Sequence, residues 1–177
     1  MAKRFVVVLS LSLFLAVLAQ AQEAEQPLKR AKVGDYVVFK LSSDVAKMSM
    51  RQEVTAVTEK EVTIRSTTTV NGMELKATEQ TIDITKKADP AVEAKNRKEN
   101  KIVDTGKGQE TLKINGKDYR CEWRSNTTTV TAGGKEITSE SKVWTSKDAP
   151  VYGLVKTESK VFGQVTVMEL TEAGSKK

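Results

Sequence analysis

Two counts bound the chemistry open to this chain: 177 residues hold no histidine and one cysteine, Cys121. Histidine is the commonest general base at neutral pH and the commonest metal ligand. Without it, Ser-His-Asp and Cys-His mechanisms are excluded, and a zinc or copper site would have a single soft ligand. No metal and no cofactor are expected. A Ser/Lys pair or paired carboxylates could still act. The serines, however, stand in Thr/Ser-rich stretches rather than in a Gly-x-Ser-x-Gly elbow, and the acidic residues are spaced as solvent-facing members of alternating strands. Gly106-Lys107-Gly108 is too short for a phosphate loop and leads into no helix. The chain reads as a non-enzyme with no catalytic residue to assign.

What remains is non-covalent recognition. Tyr119, Cys121 and Trp123 alternate along one segment, and Trp144 stands in the next. Aromatic side chains on a sheet can stack on a sugar or cover a lipid chain, although they more often fill a core. Met48 and Met50, followed by Val62 and Ile64 in the next segment, make a second apolar set, and methionines adapt to varied acyl chains. These seven residues are the candidate ligand contacts. Cys121 cannot form an internal disulfide; between Tyr119 and Trp123 it is expected to be buried and unpaired, the alternative being a bridge to another chain.

Residues 1–21 read as a signal peptide. Lys3 and Arg4 precede an apolar run from Phe5 to Leu18, and Ala19-Gln20-Ala21 offers small residues at both cleavage positions. The mature chain is then expected to start at Gln22 and to be secreted or periplasmic. No cysteine follows the apolar run, so no lipid anchor is readable. No second stretch approaches membrane length, which points to a soluble product without a membrane span. The formal net charge is +6, spread along the chain. It biases the protein toward anionic partners, a lipid or an envelope polymer, but no basic cluster interleaved with aromatics suggests nucleic acid.

The elements that must position these residues are strands. Residues 22–32 are polar and read as a flexible leader, and residues 33–172 as a single β domain. Period-2 alternation runs through Tyr36 to Leu41, through Met48 to Ala56 and from Val62 to Val70. Asn71-Gly72 and Asn115-Gly116 are type I′ hairpin signals, and Gly133-Gly134 is a third turn. Ile82 and Ile84 have the opposite parity to Met73, Leu75 and Ala77, which predicts a bulge or irregularity near 78–81. Residues 85–101 form a charged crossover in which Asp89-Pro90 predicts the start of a short exposed helix. A long strand from Lys117 to about Thr131 carries the aromatics, a return strand ends at Asp148-Ala149-Pro150, and the closing hairpin is expected to turn at 158–160. Residues 173–177 read as a tail. Arg65 to Gly72 and Arg124 to Val130 look like imperfect copies at two hairpin tips, a similarity that exposed threonine-rich strands also produce alone.

From Trp144 the chain reads Trp-Thr-Ser-Lys-Asp-Ala-Pro-Val-Tyr-Gly-Leu-Val-Lys, ending at Lys156. With the Tyr119-x-Cys121-x-Trp123 strand before it, this segment resembles uncharacterised exported bacterial β-sheet proteins that share Trp-x-Ser-x-x-x-Pro-x-x-Gly-Leu-Val-Lys. The resemblance covers Lys117 to Glu172. More loosely, the succession of long strands is similar to the curved-sheet envelope proteins that include periplasmic lipoprotein carriers, whose half-barrels hold acyl chains on a concave face. No carrier motif falls on a numbered residue, so no site is carried over. Pro150 and Gly153 read as a strand stop and a sharp restart.

The expectation is therefore an all-β fold: a single antiparallel meander of roughly eight or nine strands, strongly curved or an open barrel, with one short helix or charged crossover. The function expected is an exported soluble binding protein of the envelope or periplasm, holding an amphiphile on the concave sheet face. The alternative is a structural or interaction protein of the envelope without a small-molecule ligand.

Overall fold

The computed structural model describes residues 27–42, 47–86 and 89–176. The expected signal peptide and cleavage site, and the first residues of the expected leader, lie outside the described residues. In chain order the elements are β1 (Asp35–Ser42), β2 (Lys47–Val57), β3 (Glu61–Val70), β4 (Met73–Glu74), β5 (Thr78–Asp83), α1 (Pro90–Glu99), β6 (Ile102–Ile114), β7 (Lys117–Ala132), β8 (Lys135–Thr145), β9 (Leu154–Val161) and β10 (Gln164–Ser175). They form one antiparallel sheet of ten strands, curled but not closed, in the order β4-β3-β2-β1-β10-β9-β8-β7-β6, with β5 also paired to β3.

The meander follows from local turn chemistry. Asn71-Gly72 and Asn115-Gly116 both have positive φ at their two positions, as a type I′ hairpin requires, and Gly133-Gly134 does the same. What the local pattern does not contain is the pairing of β1 with β10, which runs from Asp35↔Ser175 to Ser42↔Val167 and makes the first and last strands central neighbours. Pairing is interrupted by bulges at Val54/Ala56, Asp104/Gly106, Val38/Phe39 and Trp144/Thr145. Each bulge bends its strand and adds twist, which is how a sheet this wide curls.

Val37 and Phe39 of β1, Val54 of β2, Ile64 of β3 and Met168 and Leu170 of β10 are buried in one core cluster. At the other edge the cluster continues through Ile114, Tyr119, Cys121 and Trp144, together with Ala149, Val151 and Tyr152 from the β8–β9 connection. Helix α1 buries none of its residues. Asp89 caps it, accepting the Ala91 N–H at 2.8 Å, with Pro90 at the first helical position. Arg97 ties the helix to β6 through Asp104 at 2.7 Å.

Three expectations change. The closing hairpin turns at Phe162-Gly163, not at 158–160: Glu158 to Lys160 are paired on both sides, with β8 and β10. An aromatic at a positive-φ position carries no turn signal, so the pattern there misleads. The leader is structured from Pro27, where residues Pro27–Arg30 form a 3-10 turn that buries Leu28 and leads to buried Ala31. The tail is shorter, because β10 pairs through Ser175 and the Lys176 N–H donates to the Gly34 carbonyl at 2.9 Å. The irregularity expected before Ile82 takes the form of a gap between β4 and β5, and both short strands use β3 as their partner.

Candidate functional site

The seven residues singled out from the sequence lie on two opposite faces of the sheet. Directly opposed residues in an antiparallel ladder share a face, so parity can be followed strand by strand. Trp123 opposes Trp144, Trp144 opposes Lys156, Lys156 opposes Glu169, Glu169 opposes Lys40, and Lys40 opposes Ser49. Met48 and Met50 flank Ser49 and therefore point the other way. Ile64 opposes Val54, two steps of parity from Met50, and Val62 shares its face. Tyr119 sits with Trp123 at alternate positions of β7. A single ligand contacting all seven is ruled out by this register. Val62 and Ile64 are 0% and 1% exposed and packed in the core, whereas Met48 and Met50 are half-buried.

The aromatic set is held by a feature the sequence shows only in retrospect. Trp123 lies over Gly106 and Gly108 of β6; a Cβ on Gly108 would stand 2.8 Å from the indole, and one on Gly106 3.2 Å. Two glycines at alternate positions of one strand, opposite a tryptophan, are the signal that could have revealed this. The ammonium of Lys142 sits 4.1 Å from the Trp123 ring centroid and 4.3 Å from that of Trp144, and Lys156 stands 5.1 Å from Trp144. The Trp144 indole N–H donates to the Glu110 carboxylate, which Lys142 approaches at 3.4 Å. These donors hold the Glu110 carboxyl below the usual range, the indole first and Lys142 second. With lysines over their rings, the tryptophans are engaged in cation–π contacts within the protein.

A cavity of about 740 Å³ opens beside this cluster. Its walls come from segments distant in sequence: the turn from Pro27 to Asp35, β6 around Gln109 to Thr111 with the start of β7 at Arg120 to Glu122, and the β8–β9 connection from Thr145 to Gly153. The Ser146 N–H donates to the Gly153 carbonyl at 2.7 Å, and the Ser146 hydroxyl accepts the Asp148 N–H at 3.2 Å, so the connection is a closed loop. Gly153 adopts φ +70 where a Cβ would meet the Pro27 ring and the Ser146 carbonyl, both at 3.1 Å. Val151 takes φ +63 while 1% exposed, a left-handed conformation that a β-branched residue adopts at a cost of about 1–3 kcal/mol. Ala31, Cys121, Ala149, Val151 and Tyr152 give the cavity buried apolar walls, while Arg30, Asp35, Arg120, Glu122, Lys147 and Asp148 place both charge signs around it. Burial pushes the Tyr152 phenol up to about 12 and the Cys121 thiol up to about 11, so both stay neutral.

Of the candidates, Tyr119, Trp123 and Trp144 flank this cavity through Cys121 and Glu110, and none of the seven lines it. Sequence reasoning assigned the Trp144-to-Lys156 segment to a strand stop and restart; it is also a wall of the cavity. Asn126-Thr127-Thr128, which fits the Asn-x-Ser/Thr glycosylation pattern, lies in β7, where buried Asn126 accepts from the Ser141 hydroxyl at 2.8 Å. Among the described residues, no group of three or more Cys, Asp or Glu side chains is arranged to hold a metal, and no helix is long and apolar enough to cross a membrane.

This architecture has been seen before. A candidate exported protein with a YmcC-like fold from Bacteroides fragilis NCTC 9343 superposes with a TM-score of 0.57 at 10% identity, over 82% of this chain and 97% of that one. A candidate lipoprotein from Parabacteroides distasonis ATCC 8503 gives 0.51 at 14% identity, over 81% and 96%. The chain shares their fold. No family model matches the sequence, and no curated protein matches it.

Proposed function

We propose that the protein is a non-catalytic, exported binding protein of the cell envelope, and that it takes a small amphiphile in the cavity between the 27–35 turn and the 145–153 connection. The observation that carries this reading is the lining: buried apolar side chains at the wall, charges of both signs around it, and a volume within the usual range of small-molecule sites. An acyl or aromatic tail would lie against Ala149, Val151 and Tyr152, with its charged end near Arg30 and Arg120 or near Asp35 and Glu122. Export is supported by the signal-like residues 1–21 and by the descriptions of the two proteins of like fold. The cavity replaces the concave sheet face as the favoured site, because Val62 and Ile64 are already packed.

The reading is tested with a fluorescent fatty acid. Binding at micromolar levels is expected, lost in Thr111→Trp, which puts an indole at a lining position of β6, and kept in Met50→Lys on β2, outside the lining. Loss in Met50→Lys with a preserved melting temperature, and none in Thr111→Trp, would return the site to the sheet face. The second reading, an interaction protein without a ligand, is favoured by the edge strand β6, which pairs with β7 on one side only. Absence of any probe binding would leave that reading in place.

A further inference from the structure

The β8–β9 connection places a phenol at the cavity wall that the protein itself leaves unbonded. Tyr152 lines the cavity and is 8% exposed, and its hydroxyl has no hydrogen-bond partner among the described residues. Burial is the only cause of the rise in its pKa. Among the described residues, the only side-chain polar atom both sealed from solvent and unpartnered is Oε1 of Gln52. The Tyr152 oxygen is therefore not sealed in, and the space beside the residue is the cavity. Its neighbours Val151 and Gly153 take φ +63 and +70, so the chain holds a left-handed conformation on either side of it. An unmade hydrogen bond in a buried site is costly, and the strain at Val151 adds to that cost. Ser146, 5% exposed at the start of the same connection, accepts the Asp148 N–H at 3.2 Å, and its own proton has no acceptor among the described residues.

We propose that the cavity takes an acyl ester, whose carbonyl oxygen accepts the Tyr152 hydroxyl while its chain lies along Ala149 and Val151. The proposal rests on the reading of this cavity as an amphiphile site and names the linkage recognised there. A phenol held neutral is a donor, so the ligand group opposite it accepts. That acceptor carries no charge. No cation acts on Tyr152, and the charges felt at Cys121, in the same lining, are those of Glu110 and Asp148. A carboxylate at this depth would be desolvated without a counter-charge and repelled by both. The linkage offers no N–H either, because the carbonyls of the connection are already engaged: Pro150 accepts the Gly153 N–H, and Gly153 accepts the Ser146 N–H. An ester accepts and donates nothing, which matches a wall that presents hydroxyl donors. An amide would leave its own N–H unpaired.

The test is displacement of the fluorescent fatty acid from the intact protein by two amphiphiles that differ in the carbonyl alone, monopalmitoylglycerol and hexadecylglyceryl ether. The ester is expected to displace the probe at about a tenth of the concentration that the ether needs, the effect of one hydrogen bond in a dry site. Tyr152→Phe should bring the two to equality by weakening the ester alone. The melting temperature should stay equal or rise, because phenylalanine removes an oxygen that has no partner in the protein. Equal displacement by ester and ether, with the probe bound by the wild type and lost in Thr111→Trp, would overturn the ester and leave the amphiphile site standing. An ester preference that Tyr152→Phe does not reduce would also overturn the proposal, since another group would then hold the carbonyl. So would a melting temperature lowered by Tyr152→Phe, which would reveal a partner for the hydroxyl inside the protein. Absence of probe binding by the wild type would remove the site and the proposal together.

Discussion

Trp123 is seated on the backbone of Gly108, close enough that a Cβ there would overlap the indole at 2.8 Å. The contact explains why β6 carries glycine in mid-strand, where glycine ordinarily weakens a strand. Gly108→Ala should therefore destabilise the fold by about 1–3 kcal/mol, the usual cost of overpacking. The denaturation midpoint measures it, and the near-ultraviolet circular dichroism of the tryptophans should change as the ring is displaced. An unchanged midpoint would show that the indole does not need this seat.

Gly116 offers the contrast. A Cβ there meets nothing within 4 Å, so only its φ of +81 resists substitution. Gly116→Val should cost on the order of 1 kcal/mol or more through backbone conformation, whereas Gly116→Asn should cost less, since asparagine tolerates that region. Equal melting temperatures for the two variants would refute the turn assignment.

Cys121 is unpaired and buried, and its thiol is pushed up to about 11 by burial. The thiolate is the reactive form, so at pH 8 a thiol reagent should label the native protein slowly and the denatured protein fast. Rapid native labelling, or a dimer removed by reductant, would show an accessible or bridging thiol.

The carboxyl of Glu110 is held below its usual range by the Trp144 indole N–H and then by Lys142. A depressed pKa in the folded state means stabilisation that is full above the unfolded value of about 4.3 and is lost as pH falls through the folded value. The stability difference between wild type and Glu110→Gln should be constant near neutrality and shrink in acid. Trp144→Phe should reduce that dependence, as read from melting curves across the acid range. A gap between wild type and Glu110→Gln that does not narrow in acid would remove the indole–carboxylate contact from the account.

The features that local chemistry controls were legible in the chain. Period-2 alternation marked β1, β2, β3 and β7; the positive-φ tolerance of Asn-Gly marked two hairpins; Asp89-Pro90 marked the start of α1; and the flanking aromatics marked Cys121 as buried. Each depends on residues a few positions apart. Phe162-Gly163 was missed for the same reason: its left-handed turn is imposed by the pairing of β9 with β10 and is not favoured by phenylalanine itself.

Which residues come together was decided only by the tertiary structure. Alternation within a strand assigns side chains to two faces but does not say how those faces match the next strand's. Met48 and Trp144 could be compared only once the chain of partners through Lys156, Glu169 and Lys40 was known. The pairing of β1 with β10 joins residues more than a hundred positions apart, and the cavity draws on Pro27, Gln109 and Ala149. Contacts of that span depend on the curl of the whole sheet, a sum of bulges and twists that no short window of sequence contains.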